Sequence, residues 1–302
     1  MKAVFGDSIC RMTAVKYLLE TQKHLNIHLW LPDYFIPVAK NLVPQADIHS
    51  FKEKDKYIHN IPGRTSDESV HTLLATHLID QAFHVLVDQQ VDIKYKNYIP
   101  LNLKPISINK FNLPNKYVVV TTGFTADVRE MTPATINTVV DFILSKNYKV
   151  VFLGKRQTIT GTHHIIKGEF KSEVDYSKGI NLIDKTDLLE AGKIIAGARA
   201  IVGLDNGLLH IAGCTSTAIV AGFTSVKPEH RAPIRNNEYG WNFYPVVPPE
   251  SLACRFCQSN WAHVYDVNFT KCYYKENNFD TEIQCVKQLT GDLYIKELEK
   301  IL

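Results

Sequence analysis

The 302-residue chain has no uninterrupted apolar stretch near the ~20 residues that a membrane helix needs, which excludes a helical membrane span. Nor is there an excess of one charge sign. The 34 basic and 31 acidic residues leave +3, without the basic footprint of a dedicated nucleic-acid binder. Six cysteines in a chain this long are too few for a disulfide framework, and in a cytosolic protein they point to buried thiols or a metal site. No internal repeat of short period is present, which argues against a solenoid. At the start, Gly6-Asp7 interrupts the apolar residues too early for a signal-peptide core, so the expected location is the cytoplasm. What is present is ordinary globular material. With 45% hydrophobic and 22% charged side chains, and ~150 residues per domain as a guide, two buried cores are expected.

Lys2 to Phe5 reads as a short strand ending in the turn Gly6-Asp7-Ser8, followed by a helix carrying Ile9, Met12, Val15 and Leu18. Ile27 to Leu31 reads as the next strand, making a β-α-β unit. Thr65-Ser66-Asp67-Glu68 has capping-box spacing and opens a helical pattern through Leu73, Leu78 and Val85. Between Tyr98 and Lys116, Pro100, Pro105 and Pro114 stand among Asn and Lys with little periodicity, which marks a linker or domain boundary. Beyond it, strands are expected at 117–120, 149–153, 181–183, 200–204 and 217–221. Helices are expected at about 132–145 and 187–197. This alternation predicts a doubly wound parallel sheet. Residues 280–302 fit one or two helices, broken at Gly291.

Open α/β sheets bind ligands beyond the carboxyl ends of their strands. Four polar loops fall at such ends: Gly6-Asp7-Ser8, Thr121 to Thr125, Gly154-Lys155-Arg156 and Asp205 to His210. One belongs to the first half and three to the second, which suggests a cleft between two domains. In the last loop a buried strand delivers Asp205, Gly207 allows a tight turn, and a helix begins whose N–H groups attract phosphate. His210 can bond a phosphate oxygen or a ribose. The plain alternative is that Asp205 only caps its helix and His210 is a local side chain.

Cys254-x-x-Cys257, with Cys272 and Cys285, offers four thiolates for a tetrahedral structural zinc, and His263 can replace one ligand. The alternative is a set of buried free thiols. Cys10 and Cys214 lie in helical patterns and read as small core residues.

The run from Val202 to Gly213, containing Asp205-Asn206-Gly207-Leu208-Leu209-His210-Ile211-Ala212, continues to Ala221-Gly222-Phe223-Thr224-Ser225. It resembles the signature of the heptosyltransferase-like glycosyltransferases, family 9. Gly6-Asp7-Ser8-Ile9-Cys10-Arg11 is similar to that family's Gly-Asp loop, and Thr121 to Pro133 to the first loop of its nucleotide domain. The resemblance implies a GT-B fold, with two Rossmann-like doubly wound domains facing each other across a cleft. The expected division is an acceptor-side domain at 1–112, a donor-binding domain with the cysteine cluster at 113–280, and a terminal helix at 281–302 that packs back on the first domain.

The resemblance further implies inverting transfer from a nucleotide-activated sugar, ADP-heptose or another, without a catalytic metal. No Asp-x-Asp element is present to hold a divalent ion. Displacement at the anomeric carbon needs a base for the acceptor hydroxyl and positive charge for the departing diphosphate. Asp7 is the candidate base, with helix capping as its alternative role. Thr121, Thr122, Gly123, Arg129, Gly154, Lys155, Asp205, Asn206, Gly207 and His210 are the donor-binding candidates, and Arg64 the candidate for an anionic acceptor. The implied acceptor is a glycan such as a lipopolysaccharide core sugar. Two other readings stay open: transfer to a hydroxylated base in DNA, and a non-catalytic nucleotide-binding or zinc-stabilised interaction module.

Overall fold

A computed structural model describes residues 5–52, 77–87, 90–122, 128–155, 157–159, 165–167, 173–260, 272, 275 and 282–302. The expected strand at Lys2 to Phe5 lies outside these residues except for Phe5, which is helical. Helix α1 runs Phe5–Thr21, so Gly6, Asp7 and Ser8 occupy its first turn rather than a turn before it. First-turn N–H groups have no intrahelical partner, so Gly costs little there, and an acidic residue suits the positive end of the helix. The apolar stripe is as read, with Ile9, Met12 and Val15 buried.

After α1 come β1 (His28–Leu31), α2 (Ile36–Leu42) and β2 (Asp47–Ser50), with β1 and β2 paired in parallel. Helix α3, Leu78–Leu86, is capped by His77, whose Nδ1 accepts the Ile79 N–H at 3.1 Å. The capping box expected at residues 65–68 lies outside the described residues. The 98–116 segment is not a free linker. Tyr98, Ile99 and Leu101 are buried, and the N–H groups of Tyr98 and Leu101 donate to Ile234 O and Cys214 O.

The second half contains β3 (Tyr117–Thr121), α4 (Pro133–Ser145), β4 (Lys149–Leu153), β5 (Ile180–Asn181), α5 (Leu188–Gly197), β6 (Ala200–Leu204), α6 (Gly207–Gly213), β7 (Ala218–Gly222) and β8 (Phe243–Val246). Thr132 caps α4, and Asp187 with Glu190 forms a complete capping box on α5. The strands form one parallel sheet in the order β8-β7-β6-β3-β4-β5. Its central strands are apolar throughout because both faces are covered. Val119, Val151, Ile201 and Ile219 face α1, α2, α3, α5 and α6, in one core that continues into the first half. Val118, Val120, Val150 and Val202 face α4 and the terminal helix α7, Gly291–Leu298. Pro245 is tolerated in β8 because that strand lies at the sheet edge.

Helix α7 begins at Gly291, where the break was expected. Among the described residues it packs on α4, β7 and β8, whereas the sequence reading has it packing back on the first domain. Tyr294, buried, donates its hydroxyl to Gly203 O at 3.1 Å, which anchors the helix to the sheet. Among the described residues, no helix is long and apolar enough to cross a membrane.

Candidate active site

The strand order reverses direction between β3 and β6, and the crevice at such a switch point, beyond the carboxyl ends, is where α/β sheets take ligands. Thr121 ends β3 there, and Asp205 follows β6. The two strands meet closely at this end. A Cβ on Gly203 would stand 1.8 Å from Thr121 Oγ1, so position 203 admits no side chain as built. Thr121 is buried, and its Oγ1 donates to Val202 O and accepts from Asn206 Nδ2, each at 3.4 Å.

The cap of α6 is Asn206 and not Asp205. Asn206 Oδ1 accepts the N–H groups of Leu208 and Leu209 at 2.9 and 3.3 Å. Two donors at this helix start are thereby occupied, and the Asp205 carboxylate is released from capping. Asp205 is 5% exposed. Its Oδ2 lies 3.6 Å from Arg129 Nη1 and 3.7 Å from Arg231 Nε, and its Oδ1 lies 4.0 Å from His210 Nε2. Burial pushes the carboxyl upward, but Arg129 and Arg231 outweigh it and hold Asp205 below the usual range. It is an anion at neutral pH. Burial drives His210 the other way, down to about 4 and only partly offset by Asp205, so the imidazole is neutral.

Two atoms here are buried without a hydrogen-bond partner among the described residues, Asp205 Oδ2 and Arg129 Nε. One is an acceptor and one a donor, and orphaned groups of this kind fit a site built for a polar ligand. The loop bearing Arg129 is pinned by Thr224, whose hydroxyl donates to Val128 O.

The second half supplies this constellation, and sequence comparison agrees on where the family signal lies. The model of glycosyltransferase family 9 (heptosyltransferase) matches residues 70–242, more than half of the chain. The chain belongs to glycosyltransferase family 9. No curated protein sequence matches it. Among solved structures it is similar to the iron-containing dodecameric glycosyltransferase TibC from enterotoxigenic E. coli H10407, with a TM-score of 0.72 at 15% identity, covering 100% of this chain and 76% of that one. A second structure, TibC in complex with ADP-D-beta-D-heptose, gives 0.68 at 15% identity over 98% and 73%. The E. coli ADP-heptose lps heptosyltransferase II gives 0.59 at 12% identity over 99% and 96%. These likenesses show a shared fold, the α/β GT-B architecture.

In this glycosyltransferase the structure brings together Thr121, Arg129, Asp205, Asn206, Gly207 and His210 of the residues singled out from sequence. Thr122 is adjacent to Thr121 and half-buried. Gly154 follows β4, where its carbonyl accepts the Asp184 N–H. Lys155 is exposed, and its charge acts on Glu190 at the start of α5. Gly123, Arg156, Arg64 and His263 lie outside the described residues, and for Asp7 only the backbone is described.

Sequence reasoning missed Arg231 and Tyr98. Arg231 is 7% exposed, and its loop follows β7 as Lys227-Pro228-Glu229-His230-Arg231, a basic cluster beyond a strand end that was the available signal. Tyr98, buried in the segment read as a linker, bonds His210 Nδ1 at 2.9 Å.

Cys254 to Cys257 turn beside the Arg231 loop. Phe256, between the cysteines, sits at φ 57°, a left-handed conformation rare for an aromatic residue. Its N–H donates to Thr224 O, and the Gln258 N–H donates to Ser225 O. Burial first, then Cys257, Cys254 and Cys272, push the Cys285 thiol up to about 12, so the four thiols share one neighbourhood. None of the six cysteines is in a disulfide. Among the described residues, no group of three or more His, Cys, Asp or Glu is gathered tightly enough to hold a metal ion.

Proposed function

We propose that this glycosyltransferase moves heptose or a related sugar from a nucleoside-diphosphate donor to a glycan hydroxyl, with inversion and without a catalytic metal. The observation that carries the reading is the buried Asp205 at the switch point with Arg129 and Arg231 beside it, one carboxylate oxygen and one guanidinium N–H left without a hydrogen bond among the described residues. Asp205 Oδ2 suits a sugar hydroxyl, and the two arginines suit the diphosphate. TibC has been seen with ADP-D-beta-D-heptose, which makes ADP-heptose the first donor to test.

Asp7 takes the proton of the acceptor hydroxyl. The acceptor oxygen then attacks the anomeric carbon from the face opposite the leaving group, and the bond from that carbon to the diphosphate oxygen breaks. Arg129 and Arg231 compensate the charge gathered on the departing diphosphate, the role a divalent ion bound to Asp-x-Asp would otherwise fill. Asp7 stands one turn before Cys10 on α1, and Cys10 meets Tyr98, the partner of His210. This connection supports assigning the base to α1. Arg64 is kept as the acceptor-side cation, residues 1–112 as the acceptor domain and 113–280 as the donor domain. A cytoplasmic location goes with this reading. The near-neutral chain offers no observation that favours a DNA acceptor.

For the four clustered cysteines we infer one structural metal ion, held after the side chains draw together. The donor set fits zinc, and TibC, described as iron-containing, adds iron as the ion to test. Incubation with a panel of nucleotide sugars, with and without candidate glycans, followed by mass spectrometry, tests the proposed activity. Release of nucleoside diphosphate with a matching mass gain on the glycan is expected. Release from no donor in the panel would refute it.

A further inference from the structure

A buried line of polar side chains joins α1 to the carboxylate of the site. Cys10 Sγ lies 3.1 Å from Tyr98 Oη, Tyr98 Oη lies 2.9 Å from His210 Nδ1, and His210 Nε2 lies 4.0 Å from Asp205 Oδ1. Cys10, Tyr98, His210 and Asp205 are 0, 3, 3 and 5% exposed, so the line runs through the interior. The Tyr98 ring lies nearly parallel to the imidazole, at 15°, and against the end of α6. A Cβ on Gly213 would stand 2.7 Å from Tyr98 Cδ2, so the glycine that ends α6 makes room for this ring.

A neutral imidazole carries one proton, on either nitrogen. The nitrogen facing Asp205 is Nε2. A proton there attracts the carboxylate, whereas a bare lone pair would repel it. Nδ1 must then accept, and the group within reach to donate is the Tyr98 hydroxyl. That leaves the Tyr98 oxygen to accept the Cys10 S–H.

We propose that Tyr98 is a positioning residue that fixes His210 in the tautomer with its proton on Nε2, and that this tautomer turns an N–H toward Asp205 Oδ1 and so orients the carboxylate of the donor site. Tyr98 acts through His210 and touches no reacting atom. The line begins on α1, which also carries Asp7, and ends at the loop that bears Asp205. The role assigned to the carboxylate rests on the transferase reading above, whereas the assignment of the proton does not.

The test is a ¹⁵N-histidine NMR measurement on the full chain, with the His210 signals assigned by their loss in His210→Gln. The wild-type protein is expected to show a protonated Nε2 and an accepting Nδ1 from pH 6 to 9. In Tyr98→Phe, Nδ1 loses its donor and the two tautomers mix. With the donor sugar found active, kcat should fall roughly tenfold, the worth of one neutral hydrogen bond, with KM for the donor changed less than about twofold. If Tyr98→Phe fails to fold, wild-type protein grown with 3-fluorotyrosine replaces it. A more acidic phenol donates more strongly and should move the Nδ1 resonance, while an unmoved resonance refutes the donation. A proton on Nδ1 in the wild type, or an unchanged tautomer in Tyr98→Phe, overturns the proposal. Both NMR outcomes hold whether or not any sugar is transferred.

Discussion

Arg231 Nε stands 3.7 Å from Asp205 Oδ2, near enough for strong attraction and too far for a hydrogen bond. The oxygen is buried and accepts no hydrogen bond among the described residues, although two guanidinium groups and an imidazole surround the carboxylate. Asp205→Asn keeps the shape and removes the charge that offsets two arginines. It is expected to lower donor turnover roughly 100-fold and stability by about 3 kcal/mol, the scale for a broken buried ion pair. Steady-state kinetics with the active nucleotide sugar and denaturant unfolding check the two effects separately.

The two arginines should differ. The Arg129 side chain is 23% exposed and that of Arg231 is 9%. Arg129→Gln is expected to weaken donor binding with little change in unfolding midpoint. Arg231→Gln should lower both, because it leaves more buried charge uncompensated. Paired binding and unfolding curves for the two variants decide this.

How far the sequence carried is visible from particular residues. The strands at 117–121, 149–153, 200–204 and 218–222 are apolar because both sheet faces are covered, so composition alone located them. The helices expected from about 132 and 187 begin there, with Thr132 and Asp187 as their caps, since capping is local chemistry. Strand β8 was not legible because Phe243-Tyr244-Pro245-Val246 contains a proline that only an edge position excuses. Asp205 was recognised, but its release from capping depends on Asn206, the neighbouring residue, which wins the two N–H groups. Tyr98 and Arg231 were missed for a different reason. Each acquires its role through contact with residues remote in the chain, Tyr98 with His210 and Arg231 with Asp205.

Acid should destabilise the protein before it protonates the site carboxylate. His77 and His210 are both lowered from 6.5 to about 4, in each case chiefly by burial. Between those values the unfolded chain binds protons at these histidines and the folded chain does not, so stability falls as pH drops from 6.5 toward 4. The loss is at most about 3 kcal/mol for each residue. Thermal unfolding followed from pH 7.5 to 4.5 should show a falling midpoint, with a shallower slope in His210→Gln.

Metal loss should be felt at the donor site. The turn around Phe256 and Gln258 holds the carbonyls of Thr224 and Ser225, and Ser259 Oγ accepts the Lys227 N–H at 3.0 Å, in the loop that ends at Arg231. Elemental analysis tests the proposed structural ion and is expected to find one metal ion per chain. Cys257→Ser should remove it, lower the unfolding temperature and weaken donor binding. Metal-free protein with unchanged donor affinity would separate the cysteine cluster from the site.

The most direct test of the account is nucleoside-diphosphate release from an active donor, ADP-heptose first, by the wild type and by Asp7→Asn with donor binding measured on both. The account predicts acceptor-dependent release of ADP by the wild type, and a loss of roughly 100-fold or more in Asp7→Asn at unchanged donor affinity. Full activity in a well-folded Asp7→Asn protein would contradict it.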